Sequence, residues 1–434
     1  MLVTRRAPYN SAMRRSPVKW AVAVTVSALM TAVAACSSNS PTPTTTLPAA
    51  STSIPRVDDG TLTIGVLTPQ GSANADIGEA IKTGVTLAVE DINNAGGYGG
   101  KSVVLVPADE GVAGVGVDPA ISSLLGRNVD AIVGPASSLN ALTGLGEIVN
   151  AGVVACSPTA SASLLDDFPD RGLFFRTIPS DTLQAAAIAE AVDRTGVSKA
   201  TIAFIDDDYG QAFADHVATF LRRKGILQND PVPFSSNNQS ISAAAKMVAS
   251  TAAGVVVVIG DATSGPVMLE EIDKAAGPTP PIYVINDAMR RPTASAEPMG
   301  GSLAARVTGV SPVAYSTDPQ FLLQLGPDPA NSSPYASNAF DCVNLIALAA
   351  LAAKSTQPTA IAAEIPAVSD GGTPCMSFAD CRTDIDAGSN INYDGPGGTL
   401  TIGSNGDLSS ALFELFGFDQ TGRDFNKSIV MVHA

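Results

Sequence analysis

Val129-Asp130-Ala131-Ile132-Val133-Gly134-Pro135-Ala136-Ser137-Ser138, followed a little later by Gly152-Val153-Val154-Ala155-Cys156-Ser157-Pro158-Thr159-Ala160-Ser161, decides how this chain folds. Each stretch is an apolar run that ends in small and hydroxyl residues and then opens a helical pattern. Hydroxyls and backbone N–H groups therefore collect at two helix starts, where partial positive charge accumulates. Taken singly, Ser138 and Ser161 read as ordinary helix caps. Taken together, the junctions fall at the carboxyl ends of adjacent parallel strands, the edge where open α/β sheets bind ligands. Two such ends side by side suit a carboxylate.

The surrounding sequence supplies the sheet. Thr61 to Leu67 reads as a buried strand, and a helix follows from Asp76. Ile77, Ile81, Val85, Val89 and Ile92 line one face of that helix, and Asn94-Ala95-Gly96-Gly97 ends it. Ser102 to Val106 is a second strand, Pro119 to Leu125 a helix, and Leu173 to Ile178 a further strand. This βα alternation predicts a parallel sheet covered on both faces. The rhythm then restarts. A helix over Leu183 to Arg194, a strand over Ala200 to Ile205 and a helix reaching Gly225 come first. A helix over Ile241 to Ala252, a uniformly apolar strand over Gly254 to Gly260 and a strand over Ile282 to Ile285 follow. Beyond these, Pro334-Tyr335 opens a long helix and Pro358 to Ile365 forms a shorter one. Gly371 to Cys381 reads as a loop, and Thr399 to Ile402 and Leu412 to Phe418 as strands, with the turn signal Asn405-Gly406-Asp407 between them.

Composition bounds the function. The 434 residues are 45% hydrophobic and 15% charged, a well-buried protein of about two domains. Net charge is -16, and residues 1–35 hold Arg5, Arg6, Arg14, Arg15 and Lys19 with no acid, so the remainder stands at -21. Phosphate backbones repel such a body, which excludes nucleic acid as a partner. Only His216 and His433 are available for histidine chemistry, and no zinc signature or Gly-x-Ser-x-Gly elbow is present. Ala95 to Ser102 approaches a phosphate loop but lacks its first glycine, and a strand rather than a helix follows. Asp206-Asp207-Asp208 reads as a strand-end turn. No cofactor and no metal is expected, and the chain does not read as an enzyme.

The first 35 residues have the parts of an export signal: basic residues up to Lys19, an apolar stretch from Ala21 to Val33, then small residues. Val33-Ala34-Ala35-Cys36 resembles a lipobox, which makes Cys36 a lipidation site. Ser37 to Pro55, nearly all Ser, Thr, Pro and Ala, reads as a flexible tether. Four further cysteines remain in an oxidising compartment. Cys375 with Cys381 is the expected pair, since it closes a Gly/Pro-rich loop and contributes roughly 2 to 3 kcal/mol. Cys156 and Cys342 are either a second pair or two buried thiols.

From about Thr61 onward the chain resembles the type I periplasmic binding proteins of the leucine/isoleucine/valine-binding family, in their lipid-anchored actinobacterial branch. The resemblance rests on Ile64-Gly65-Val66-Leu67, Asp91 to Gly97, Val133 to Ser138, Ser157 to Ser161, Asp208-Tyr209-Gly210, Tyr393-Asp394-Gly395 and Gly406-Asp407, in that order. It implies an α/β fold with two Rossmann-like parallel-sheet lobes joined by a three-crossover hinge. The crossovers fall near Ile178 to Asp181, Val310 to Val313 and Phe413 to Gly417. The domains are then a signal peptide (1–35), a lipidated cysteine with its tether (36–60), lobe I (61–178 plus 312–412) and lobe II (179–311 plus 413–434). It also implies a ligand carboxylate held by Ser137, Ser138, Thr159 and Ser161, and a ligand ammonium met by Tyr209 and Asp287. The implied function is an extracytoplasmic, membrane-anchored receptor that closes on an amino acid or an amide- or urea-like solute and passes it to an ABC permease. A sensing lipoprotein coupled to a signalling partner is the alternative. Asp261-Ala262-Thr263 stands where the family often places an aromatic residue, which argues against branched-chain specificity.

Overall fold

The structure, a computed structural model, describes residues 56, 58–71, 74–290, 299–326 and 334–433. The export signal, Cys36 and the Ser37–Pro55 tether lie outside the described residues. Five strands, β1 (Thr63–Thr68), β2 (Val104–Asp109), β3 (Ala131–Val133), β4 (Val154–Ser157) and β5 (Phe174–Arg176), form a sheet in the order β2-β1-β3-β4-β5. Every neighbouring pair is parallel. Helices α1 (Ala75–Asn94), α2 (Asp118–Gly126) and α3 (Ser138–Asn150) make the crossovers. β3 and β4 are buried at every residue, as strands with covered faces must be, which is why their sequence is apolar without alternation.

A second sheet holds β6 (Lys199–Ile205), β7 (Leu227–Gln228), β8 (Val232–Phe234), β9 (Val255–Ile259), β10 (Ile282–Ile285) and β11 (Val307–Pro312). After a small parallel pair, β12 (Thr373–Cys375) and β13 (Ile391–Tyr393), the sheet gains β14 (Ser410–Phe418) and β15 (Asp424–His433). Its order is β15-β14-β11-β10-β9-β6-β7, with β8 beside β6. Pairing is parallel from β6 to β11 and antiparallel through β14 and β15. The helices along this part are α4 (Asp181–Asp193), α5 (Asp208–Arg223), α6 (Asn238–Ser250) and α7 (Ser264–Ala276). Short α8 (Gly301–Ala304) and α9 (Pro319–Leu325) precede α10 (Ala336–Ala353), α11 (Pro358–Val368) and α12 (Phe378–Asp386).

The chain passes between the sheets three times: after β5 into α4, after β11, and ahead of β14. The third passage lies earlier than the expected Phe413–Gly417, because β14 is paired with β15 from Ser410 onward. α10 is late in sequence yet packs against α1, β3 and β4 of the first sheet. The fit is close: a Cβ at Gly84 of α1 would overlap the Ala336 carbonyl. α10 is buried from Ala336 to Ala350, so its sequence carries no exposed polar stripe, and even Ser337, Asn338, Asp341 and Asn344 are buried. One core cluster joins both sheets, including Ile64, Val133, Ile188, Val257, Val310 and Val343. A second packs on the other face of the larger sheet around Val256, Met268, Tyr283 and Phe416.

Three further sequence expectations are corrected. The second junction opens no α-helix: a single 3-10 turn, Ser163–Leu165, follows β4, with Ala162 rather than Ser161 at its N-cap position. Gly371 to Cys381 is not a plain loop but β12 and the start of α12, with Ser377 capping the helix through Asp380 N. Thr399 to Ile402 is not a strand; Ile402 makes only an isolated bridge to Leu408. Both cysteine pairs form disulfides, Cys375 with Cys381 (Cα–Cα 5.3 Å) and Cys156 with Cys342 (5.7 Å).

Candidate functional site

The parallel register sets Val133 opposite Cys156, so the loops after β3 and β4 emerge side by side. Gly134 N donates to Cys156 O at 2.8 Å, and Gly134 adopts φ +120°, a region that only glycine enters freely. A side chain there would also collide with the Leu67 carbonyl. Hydroxyls then stitch the loops crosswise. Ser157 Oγ donates to Pro135 O (2.7 Å) and accepts from Ala160 N (3.0 Å), Thr159 Oγ1 donates to Ala136 O (2.8 Å), and Ser138 Oγ accepts from Ala162 N (3.2 Å). These side chains are spent on loop geometry. The cap of α3 is Ser137, whose Oγ accepts from Asn140 N.

Above the strand ends lies a cavity of about 170 Å³. Its lining includes Glu110, Ser137, Thr159 and Ser161 from the first-sheet side and Asp287 and Pro312 from the second, with Tyr335 at the start of α10. Four of the six residues singled out by sequence, Ser137, Thr159, Ser161 and Asp287, thus share one cavity. Ser138 does not line it; its hydroxyl faces the neighbouring loop. Tyr209, in the first turn of α5, stands beside the cavity. Burial, then the charges of Asp181 and Asp287, push its hydroxyl well above the usual tyrosine range, and it shares a hydrogen bond with Asn286. Its ring meets Phe213 edge-on at 5.8 Å.

Two further acids were not found by sequence reasoning. Glu110, directly after β2, is 2% exposed. Its Oε2 accepts from Ala136 N (2.7 Å) and its Oε1 from Ser137 N (3.1 Å). The Ala136 and Ser137 N–H groups just ahead of α3 are therefore occupied by the protein's own carboxyl rather than left for a ligand anion. Burial nonetheless pushes Glu110 up to about 7, because those donors only partly replace lost water. Asp181 opens α4; its N donates to Ser161 O at 2.8 Å. It is 1% exposed, its Oδ2 has no hydrogen-bond partner, and burial, then the neighbouring Asp287 charge, raise it to about 7. Asp287 sits in a turn after β10, accepts from Gln184 Nε2 at 2.8 Å, and is also raised by burial. The signal for Glu110 was an acid at a strand's carboxyl end near the point where the strand order reverses; Asp181 was visible only as part of a crossover.

Asp207, in the acidic turn, caps α5 through Gly210 N at 2.7 Å. Asp261 likewise accepts from Thr263 N and Ser264 N at the start of α7. Neither lines the cavity.

A parallel sheet with a polar cavity at its carboxyl edge, faced by a turn from a second sheet, defines the type I binding-protein class. Residues 61–405 match the family model described as periplasmic binding protein, and this chain belongs to that family. Leu/Ile/Val-binding protein homolog 3 of Brucella melitensis is 28% identical over 372 residues, covering 82% of this chain and 91% of that one. A substrate-binding protein of an ABC transporter from Desulfitobacterium hafniense, solved in complex with Leu, superposes with a TM-score of 0.63 at 22% identity. That match covers 84% of this chain and 99% of that one. A periplasmic binding protein type 1 from Bordetella pertussis gives 0.61 at 18% identity, covering 86% and 100%. At these identities the two structures share the fold.

Proposed function

We propose that this chain is a lipid-anchored, extracytoplasmic solute receptor of an ABC importer, which captures a small zwitterion of the amino-acid or amide class. The observation that carries the reading is the placement of Thr159 and Ser161 on one wall of a cavity and Asp287 on the other. The carboxylate of the solute rests against Thr159 N–H and the hydroxyls of Ser161 and Ser137. Its ammonium meets Asp287, with Tyr209 behind. Thr159 N is only weakly engaged within the chain, its hydrogen bond to Ser157 Oγ being long at 3.4 Å. Ser138 holds the loops rather than the guest. Two lobes, 61–178 with 312–409 and 179–311 with 410–434, close about the three crossovers; no bond is made or broken, so the chain is a carrier and not an enzyme. Cys36 carries the lipid that keeps it at the outer face of the membrane, beside its permease.

Thermal unfolding of the purified protein against a panel of amino acids and amides tests the capture. One chemical class is expected to raise the midpoint, since a solute at 100 times its Kd stabilises by about 2.7 kcal/mol. A panel in which nothing shifts the midpoint overturns the reading. Cys36→Ser should move the protein from the membrane fraction to the soluble one; an unmodified protein already soluble would remove the anchor.

A further inference from the structure

The cavity carries two carboxyls on opposite walls and no cation. Glu110 projects from the first-sheet side and Asp287 from the second, and no Lys, Arg or His is among the lining residues. Asp181 stands behind Ser161 and Asp287, 1% exposed, with Oδ2 unpartnered. Among the described residues, none of these three acids has an ion-pair partner. The guanidiniums whose charge reaches them are committed elsewhere. Arg176 is held by Asp166 and Asp407, and Arg290 by Glu414 and Asp424. Buried carboxylates without a counter-charge are costly, so a cationic group entering the cavity gains more here than a neutral one.

A zwitterion with one ammonium answers only one wall. We infer that the solute is a basic amino acid, whose α-ammonium meets Asp287 while the ammonium or guanidinium of its side chain meets Glu110. This rests on the orientation given under Proposed function, with the carboxylate at Thr159 and Ser161. Glu110 suits the role because the Ala136 and Ser137 N–H groups anchor its two oxygens at 2.7 and 3.1 Å, with the Asn140 side chain also in contact, an orientation fixed for a forked donor. An aliphatic side chain in the same place would lay methyl groups against a desolvated carboxylate, which favours neither. Glu110 is then the residue that separates basic from branched-chain solutes.

Calorimetric titration of the purified full-length protein with L-arginine, L-lysine, L-glutamine and L-leucine decides the matter. At least one of the two basic amino acids is expected to bind ~30-fold or more tighter than leucine, the lower end of what loss of a buried charge partner removes. Glu110→Gln should shrink that ratio ~10-fold or more without abolishing glutamine binding, with circular dichroism confirming the fold. If leucine or glutamine binds as tightly as arginine and lysine, the inference fails while the amino-acid receptor stands. If no amino acid binds, both fail. The preference of the unmodified protein is decisive even where Glu110→Gln does not fold.

Discussion

Two clusters of buried acids lie near one another in this protein, and they have been settled in opposite ways. In the first, Arg176, fully buried, pairs with Asp166 at 2.6 Å and with Asp407, and donates to the Ala160 and Ala162 carbonyls at 3.4 and 3.2 Å. Asp166 also accepts from Ser180 and Thr182 across the first crossover. One internal cation serves both carboxylates, and through the Ala160 and Ala162 carbonyls the cluster fixes the loop that carries Thr159 and Ser161. In the second, Glu110, Asp181 and Asp287 have no ion-pair partner among the described residues. Acids neutralised from within serve architecture; acids left unneutralised beside a cavity are set aside for a guest.

The strongest way to break this contrast is to remove the internal cation. Arg176→Met should destabilise the protein by about 3 to 5 kcal/mol, because it leaves buried Asp407 and half-buried Asp166 without their shared cation. Denaturant unfolding measures it, and a loss under about 1 kcal/mol would show that the two acids do not depend on Arg176.

The next effect is one of pH. A carboxyl whose folded pKa lies above its unfolded value holds extra protons in the native state, so stability is greatest at low pH and falls as pH climbs through the window between the two values. For Asp181 that window runs from 3.8 to about 7, and for Glu110 from 4.5 to about 7. The solute-free protein should therefore unfold at lower temperature at pH 7 than at pH 5. Asp181→Asn should flatten the slope by about 1.4 kcal/mol per pH unit across its window. A parallel pair of profiles would mean that Asp181 is already compensated. The smallest expected effect sharpens the division of labour among the hydroxyls. Ser138→Ala should cost about 0.5 to 1.5 kcal/mol through its lost bond to Ala162 N, with solute affinity nearly unchanged. Ser161→Ala should do the reverse, weakening the solute more than the fold.

Much of this was legible in the sequence wherever one physical signal dominated. β3, β4 and β9 are runs of apolar residues because both faces are covered, and α1 shows its inward face at helical spacing. Thr159, Ser161 and Asp287 were legible because strand ends are where a parallel sheet gathers function. Glu110 and Asp181 were not, since nothing local distinguishes a buried acid from the many exposed ones; only the closing of loops over them does. β15 escaped for a similar reason. Its residues up to Ile429 are mostly exposed and mix Asp, Asn and Lys with Phe and Ile, so it shows neither alternation nor a continuous apolar run. Ser138 misled because an N-cap and a loop stitch use the same hydroxyl one residue apart.

The late arrival of α10 sets a rule for dissecting the molecule. The helix that covers α1, β3 and β4 comes far later in the chain than β4, and Cys342 within it is bolted to Cys156, 186 residues earlier, at the root of the Thr159 loop. No fragment that stops before residue 336 can bury the inner side of its own first sheet. Useful truncations of this protein must therefore excise a middle portion and rejoin the flanks, because cutting from the tail strips the roof from the earliest strands.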